Sequence, residues 1–325
     1  MVSVLKKIKI VSVLSMLVGM TAQLNGYDCN QSIYSEPRSC CTETNALYFN
    51  AELLYWRPEL CGLESAFGDT TIATTVNDAI TTTIITESDI EPDSKWNAGF
   101  RVGAGVTSNC YDVELNWTHF DGRAKFSEGA QFGHWKIKYD VVDLTLGRSF
   151  YMTSCFYLKP FIGLRGAQIH QRLKSHLVTL FTSTITGNTT VVTDKDDKEN
   201  FWGIGPQIGL NAAWDLGCDF SLYGGFAVVS YYGDVKGRNF DTDTFATTVS
   251  VCNGKKKHCF NNVATDAAIG IRWDSCTTCF CGCDVNLMLK LGLEQHRIYD
   301  FSNLGSDGNL SLDGGIFAAG ISFCY

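Results

Sequence analysis

Apolar and polar positions alternate with a period of two along most of the chain. From Trp96, the residues Trp96, Phe100, Val102, Ala104 and Val106 fall on one face and Asn97, Gly99, Arg101, Gly103 and Gly105 on the other. The pattern recurs at Tyr111, Val113, Leu115 and Trp117, at Trp202, Ile204, Ile208, Leu210 and Trp214, at Val263 to Trp273, and at Val285 to Leu293. A period of two is the signature of a strand with one face in each of two environments. Ten segments carry it, near 46–56, 96–106, 110–119, 135–148, 155–168, 201–214, 218–230, 263–273, 284–296 and 312–325. In the fourth the phase slips between Val141 and Val142, which reads as a β-bulge. A further hairpin at Ile80 to Thr86 would raise the count from ten to twelve.

The connections between these segments alternate long and short: 57–95, 120–134, 169–200 and 231–262 are long, whereas 107–109, 149–154 and 215–217 are short. This is the layout of an all-β, transmembrane, antiparallel up-and-down β-barrel, with short turns on the periplasmic side and long loops outside. A soluble β-sandwich also alternates. Strands of about 11 residues match the tilted length that crosses a bilayer. Trp56, Trp96, Trp117, Trp135, Trp202, Trp214 and Trp273 lie near strand ends, as interfacial girdles require.

The first segment sets the compartment. Lys6, Lys7 and Lys9 precede an apolar run from Ile10 to Met20, a secretory signal ending at Ala22 or as late as Gly26. Residues 1–22 are thus predicted as signal peptide, 23–45 as a periplasmic cysteine-bearing segment and 46–325 as the barrel. Net charge is −8, from 26 Lys+Arg and 34 Asp+Glu among 325 residues, and no basic block exceeds Lys255 to His258. Nucleic acid is set aside as a partner.

An exported chain with 14 cysteines is expected to oxidise them. On the deduced topology Cys29, Cys40, Cys41, Cys110, Cys155, Cys218, Cys276, Cys279, Cys281, Cys283 and Cys324 share the periplasmic side. A closed barrel does not require such one-sidedness. Intermolecular disulfides to copies of itself or to other envelope proteins are one reading, above all through Cys276 to Cys283 and Cys29 to Cys41; seven intramolecular pairs are the other. The four cysteines from Cys276 to Cys283 also suit tetrahedral zinc, although paired sulfurs fit an oxidising compartment better. Cys252 and Cys259, with six residues between them in an outer loop, are expected to close a small disulfide loop.

The opening strand Ala46-Leu47-Tyr48-Phe49-Asn50-Ala51-Glu52-Leu53-Leu54-Tyr55-Trp56-Arg57-Pro58, the signal peptide and the Phe323-Cys324-Tyr325 end resemble the pore-forming major outer membrane proteins of Legionella type, which have cysteine-rich relatives in chlamydia-like bacteria. The resemblance implies a porin in bacterial outer-membrane lipid, placed there by the outer-membrane insertion machinery. That machinery reads a terminal aromatic strand, here Phe323 and Tyr325.

Reading the polar face inward puts Arg101, Lys136, Lys138, Lys159, Arg165, Arg272 and Lys290 in the lumen against Glu52, Asp112, Glu114, Asp140, Asp266 and Glu294. Seven cations face six anions, which points to charges paired across the interior. Ten strands lie close to the eight at which side chains fill a barrel. Passive diffusion of small hydrophilic solutes therefore competes with a closed, mainly structural or adhesive envelope role. No HExxH or GxSxG motif is present, and Gly203 to Gly209 continues a strand rather than opening a helix, so no cofactor or metal is expected. A hydrolase at the barrel rim, built from His170 or His176 with Asp194, needs no local motif and stays open as a third class.

The alternation of connection lengths generates a test. Gly187-Asn188 lies between threonine-rich flanks and should turn a hairpin outside the cell. An epitope tag at Asn188 is expected to be stained on intact cells; staining only after permeabilisation would invert the topology.

Overall fold

The computed structural model describes residues 45–61, 93–108, 110–128, 131–153, 155–183, 187–245, 248–278, 284–302 and 308–324. The predicted signal peptide, nearly all of the 23–45 segment, the Ile80–Thr86 hairpin, Cys29, Cys40, Cys41, Cys279, Cys281, Cys283 and Tyr325 lie outside them. The strands are β1 (Asn45–Leu60), β2 (Asp93–Ser94), β3 (Asn97–Ser108), β4 (Tyr111–Glu128), β5 (Gln131–Arg148), β6 (Phe150–Thr153), β7 (Phe156–Ser183), β8 (Gly187–Gly217), β9 (Phe220–Phe245), β10 (Thr248–Thr278), β11 (Asp284–Ser302) and β12 (Gly308–Cys324). Ten of them form an antiparallel ring in the order β1-β3-β4-β5-β7-β8-β9-β10-β11-β12, which closes where β12 pairs with β1. The two short strands β2 and β6 lie outside the ring and pair with β4 and β7. Closure leaves no sheet edge, so every strand finds two partners inside a membrane that offers no hydrogen bonds.

At the end of the ring that holds Asn45 and Cys324 the turns are short. Gly217 pairs with Phe220 around Cys218 (φ 55°) and Asp219 (φ 67°), a two-residue turn with both central residues left-handed, the type that matches strand twist. At the opposite end β7 and β8 stay paired out to Ser183 and Gly187, and β9 and β10 out to Phe245 and Thr248, far beyond the predicted ends.

The predicted bulge in the fourth segment is absent. Pairing of β5 runs without a shift through Val141 and Val142, to Thr118 and Trp117 on one side and to Ala167 and Gly166 on the other. What changes there is which face is apolar. Val142, Leu144 and Leu146 point outward, whereas Ile137, Tyr139 and Val141 are buried inward. The same exchange occurs in β4 between outward Trp117 and inward Phe120, in β7 between outward Leu164 and inward Ala167 and Ile169, and in β9 at Tyr231 and Tyr232. Below the exchange the strand faces lipid; above it the strand faces water, and its apolar side must turn inward.

This polarity exchange corrects several expectations. Lys136 and Lys138 are exposed on the outer wall, and Asp140 lies on that wall too, because the continuous phase keeps Ile137, Tyr139, Val141 and Asp143 inside. Trp56 and Trp135 are fully buried in the lumen rather than in a girdle. The girdles consist instead of Tyr55, Trp96, Trp117, Trp202 and Tyr232 at the loop end and of Tyr111, Trp214, Phe220 and Phe323 at the turn end, all exposed. Trp202 and Trp214, twelve residues apart on β8, span about 30 Å along a strand tilted by about 40°. Cys252 and Cys259 lie on one uninterrupted strand, β10. Seven steps of strand put them about 23 Å apart, so they cannot bridge to each other, a disulfide needing Cα atoms within about 7 Å.

Inside the ring, aromatic rings cover the glycines directly opposite them. Tyr48 opposes Gly105, Trp56 opposes Gly314, Phe120 opposes Gly99, Phe126 opposes Gly133, Phe161 opposes Gly209 and Tyr223 opposes Gly270. A Cβ on Gly209 would sit 2.3 Å from Phe161 Cζ and 2.6 Å from the Phe226 carbonyl. Gly209→Val should therefore destabilise the barrel by about 1–3 kcal/mol. The readout is the urea midpoint of refolded protein followed by heat-modifiable electrophoretic mobility; an unchanged midpoint would refute this packing.

Candidate functional site in the lumen

The lumen is built in three layers. Nearest the turn end it is polar: Lys159 Nζ donates to Asp112 Oδ2 at 2.5 Å, Tyr48 Oη donates to Asp112 Oδ1 at 2.6 Å, and Asn50 Nδ2 donates to Glu114 Oε1 at 3.2 Å. Asn50, Asp112, Glu114 and Lys159 line a cavity of about 220 Å³. The side chain of Gln207 is buried against it with Oε1 unpartnered.

The middle layer is a continuous chain of charges. Lys290 Nζ meets Glu52 Oε1 at 2.9 Å, and Arg101 Nη1 donates to Glu52 Oε2 at 2.5 Å and to Glu294 Oε2 at 3.2 Å. His296 Nε2 lies 3.4 Å from Glu294 Oε2, and its Nδ1 lies 2.8 Å from Asp266 Oδ1. Arg165 closes the chain by pairing with both Asp266 and Asp143. Because β7 and β10 are not adjacent, the Arg165–Asp266 pair crosses the lumen; so does Arg101 on β3 with Glu294 on β11. The side chains of Glu52 and Glu294 are each 4% exposed, so these charges depend on one another rather than on water.

Above lies an apolar layer. Leu54, Trp56, Phe120, Trp135, Ile137, Ile169, Phe201, Tyr231, Phe301, Leu310 and Leu312 are all but completely buried. They come from eight strands of the ring, and some meet edge to face, as with Phe201 against Tyr231 and Phe301 at 5.7 and 5.3 Å. Two indoles tie this layer to polar partners: Trp56 Nε1 donates to Glu294 Oε1 at 3.0 Å and Trp135 Nε1 to Gln171 Oε1 at 2.9 Å.

Of the thirteen residues expected to line the lumen, Glu52, Arg101, Asp112, Glu114, Lys159, Arg165, Asp266, Arg272, Lys290 and Glu294 point inward. Arg272 stands apart from the charge chain, on Asp274 at 2.6 Å. Lys136, Lys138 and Asp140 are the three on the outer wall, where Asp140 Oδ1 meets His119 Nδ1 at 2.7 Å. Two members of the chain escaped the sequence reading. Asp143 belongs to the phase set by Leu144 and Leu146 and was hidden by the assumed bulge; His296 continues the inward run of Lys290 and Glu294. The rim pair His176 and Asp194 does meet, at 2.6 Å, but on the outer wall beside Phe132; His170 instead contacts Asn200 at 2.6 Å.

Residues 39–295 match the family model of the Legionella pneumophila major outer membrane protein precursor, which is well over half of the chain. The chain belongs to that family. It is accordingly a protein of the bacterial outer membrane, and its ring is an outer-membrane barrel. Among solved structures, the outer membrane protease OmpT of Escherichia coli is similar at 10% identity and a TM-score of 0.39, over 88% of this chain and 100% of that one. The toluene transporter TodX of Pseudomonas putida matches at 10% identity and 0.33, and a FadL homologue of Pseudomonas aeruginosa at 8% and 0.29, each over 89% of this chain and 92% of that one. Comparison with curated proteins finds no match. No substrate or reaction passes from these proteins to this one.

Removing one member of the buried charge chain tests its role in the family fold. Arg101→Met leaves two buried carboxylates short of their shared guanidinium, and breaking a buried pair in this way costs about 3–5 kcal/mol. A large drop in the urea midpoint is expected for Arg101→Met and a small one for Arg57→Met, whose exposed pairing with Glu59 is worth little. Equal effects would mean that the lumen charges are solvated.

Proposed function

We propose that this protein is a closed-lumen structural component of the outer membrane, carrying β-hairpins that project outward. The observation that supports the reading is the apolar layer: Trp56, Phe120, Tyr139, Phe201 and Tyr231, from strands around the ring, are buried together inside the bore. Water and small ions do not cross a packed aromatic layer, and a ten-stranded ring is near the size at which side chains fill the bore. Cross-linking to copies of itself or to other envelope proteins suits such a role. Cys155 and Cys218 are exposed at the turn end, where the sequence gathers most of its cysteines.

A diffusion pore is the second reading, and the charge-lined cavity that reaches from the polar layer into the ionic layer favours it. Conductance separates the two. Purified, refolded protein in planar bilayers is expected to give no steps, whereas Trp56→Ala combined with Trp135→Ala should open measurable ones. Step conductance from the unaltered protein would overturn the closed reading in favour of the pore, whose ion preference should then shift with Glu114→Lys and not with Lys136→Glu. For the structural role, envelopes in which thiols are blocked before lysis should show reductant-sensitive bands above the monomer on non-reducing electrophoresis. A purely monomeric band would remove the cross-linking.

A further inference from the structure

The outer wall above the membrane carries a feature that the lumen does not explain. Arg123 on β4 lies directly opposite Lys136 on β5; Lys136 lies opposite Arg172 on β7, Arg172 opposite Lys198 on β8, and Lys198 opposite Arg238 on β9. The register continues the row to Lys255 on β10. Six neighbouring strands thus place a basic residue in one directly paired row, which climbs along the barrel axis because the strands are tilted by about 40°, in a chain whose net charge is −8. Like charges directly opposite one another across strands are destabilising, so the row works against folding and calls for a compensating partner.

A parallel row marks the lipid-facing wall: Trp117, Val142, Gly166, Ile204 and Tyr232 are paired in that order across the strands, with the girdle residue Trp202 one outward position above Ile204. Each cation of the row from Arg123 to Arg238 is six residues beyond the member of this row on its own strand, about 15 Å higher along a strand tilted by about 40°. Four residues beyond, about 10 Å up, Lys138 and Lys236 add to it. Arg123, Lys136, Lys138, Lys236 and Arg238 are exposed on the wall that faces away from the lumen. Carboxylates on the same wall offset part of this charge: Asp121 opposes Lys138, Asp140 and Asp234 stand two residues from Lys138 and Lys236, and Asp196 accepts a two-bond fork from Arg172 at 2.6 and 2.7 Å and lies 3.9 Å from Lys198 Nζ. His134, on the same wall, is held below its ordinary imidazole value by partial burial and by Lys136, Lys174 and Arg172.

We propose that this cationic arc binds the phosphate groups of phosphorylated glycolipids in the outer leaflet. The height of its lower end argues for a membrane-borne ligand: Arg123, Lys136 and Lys138 on β4 and β5 stand just above the aromatic girdle, beside the layer where headgroups meet the barrel wall, and are exposed on the side that faces away from the lumen. Arginine and lysine suit phosphate by forked and by point-charge contacts respectively, and an arc around several strands suits many lipids packed side by side. The inference rests only on the barrel lying in the outer membrane, not on whether its lumen is open.

The test uses the full mature protein refolded in a neutral detergent, with a bisphosphorylated acylated glucosamine disaccharide and its dephosphorylated form as probes, and calorimetry as the readout. The phosphorylated lipid should bind at least about tenfold more tightly than the dephosphorylated one. The triple variant Arg123→Gln, Lys136→Gln, Lys138→Gln should lose at least about tenfold in that affinity, while Arg57→Gln loses none. Without lipid, the triple variant should unfold at the same or a higher temperature than the parent, because repulsion has been removed. Equal binding of the two lipids, or an unchanged triple variant, would overturn the proposal. Complete displacement of the lipid by millimolar inorganic phosphate would also overturn it, assigning the arc to free phosphate.

Discussion

Ring closure is the constraint from which the rest follows. Each strand has two faces and, once the ring is closed, no edge, so every residue points either to the surroundings or into a narrow interior. Ten strands make that interior small. It is filled by aromatic rings lying over glycines, so the positions of Gly99, Gly105, Gly209, Gly270 and Gly314 are dictated by the side chains opposite them. The result is a lumen with a packed cross-section rather than a channel with decorated walls.

Charges in such a lumen have little water to fall back on. Burying an ion costs several kcal/mol unless partners replace its hydration, and a buried pair rarely repays more than that cost. The chain from Lys290 to Asp143 meets the condition by sharing: Arg101 serves two carboxylates, Arg165 serves two, and His296 stands between two more contacts. Sharing across non-adjacent strands also ties opposite walls of the ring together, something backbone pairing between neighbours cannot do. An apolar replacement of similar volume would pack as well but would not specify which strands face each other across the lumen.

Much of this was legible in the sequence. Strand number, antiparallel order, the short turns and most inward-facing charges follow from period two and from connection lengths. The misread facings have one cause. A period-two pattern tells which residues share a face, but not which environment that face meets, and the environment changes partway along the strand. The slip at Val141 and Val142 is that change seen without depth, and reading it as a bulge sent Lys136, Lys138 and Asp140 to the wrong side. Trp56 and Trp135 were misassigned for the same reason: a tryptophan near a strand end suits an interface, yet both belong to the apolar interior above it. The cross-lumen partners were not legible at all, since Arg165 and Asp266 are 101 residues apart and meet only through the ring.

The same change of environment explains why the lumen is polar below and apolar above. Within the bilayer, lipid solvates the outward apolar face, and association of side chains inside gains little from excluding water that is already absent from one side. Above the bilayer the hairpins stand in water on their outer face, and a paired hairpin alone is marginally stable. The extended parts of β4, β5, β7, β8 and β9 therefore need a core of their own, which Phe126, Ile137, Leu173, Phe201 and Val235 supply by turning inward. That core must be shared by the whole ring to be large enough, and so it spans the bore. An inward apolar core and projection of the hairpins are two consequences of one need: the wall rises out of the membrane as stable β-structure by burying its apolar side in the space that it encloses.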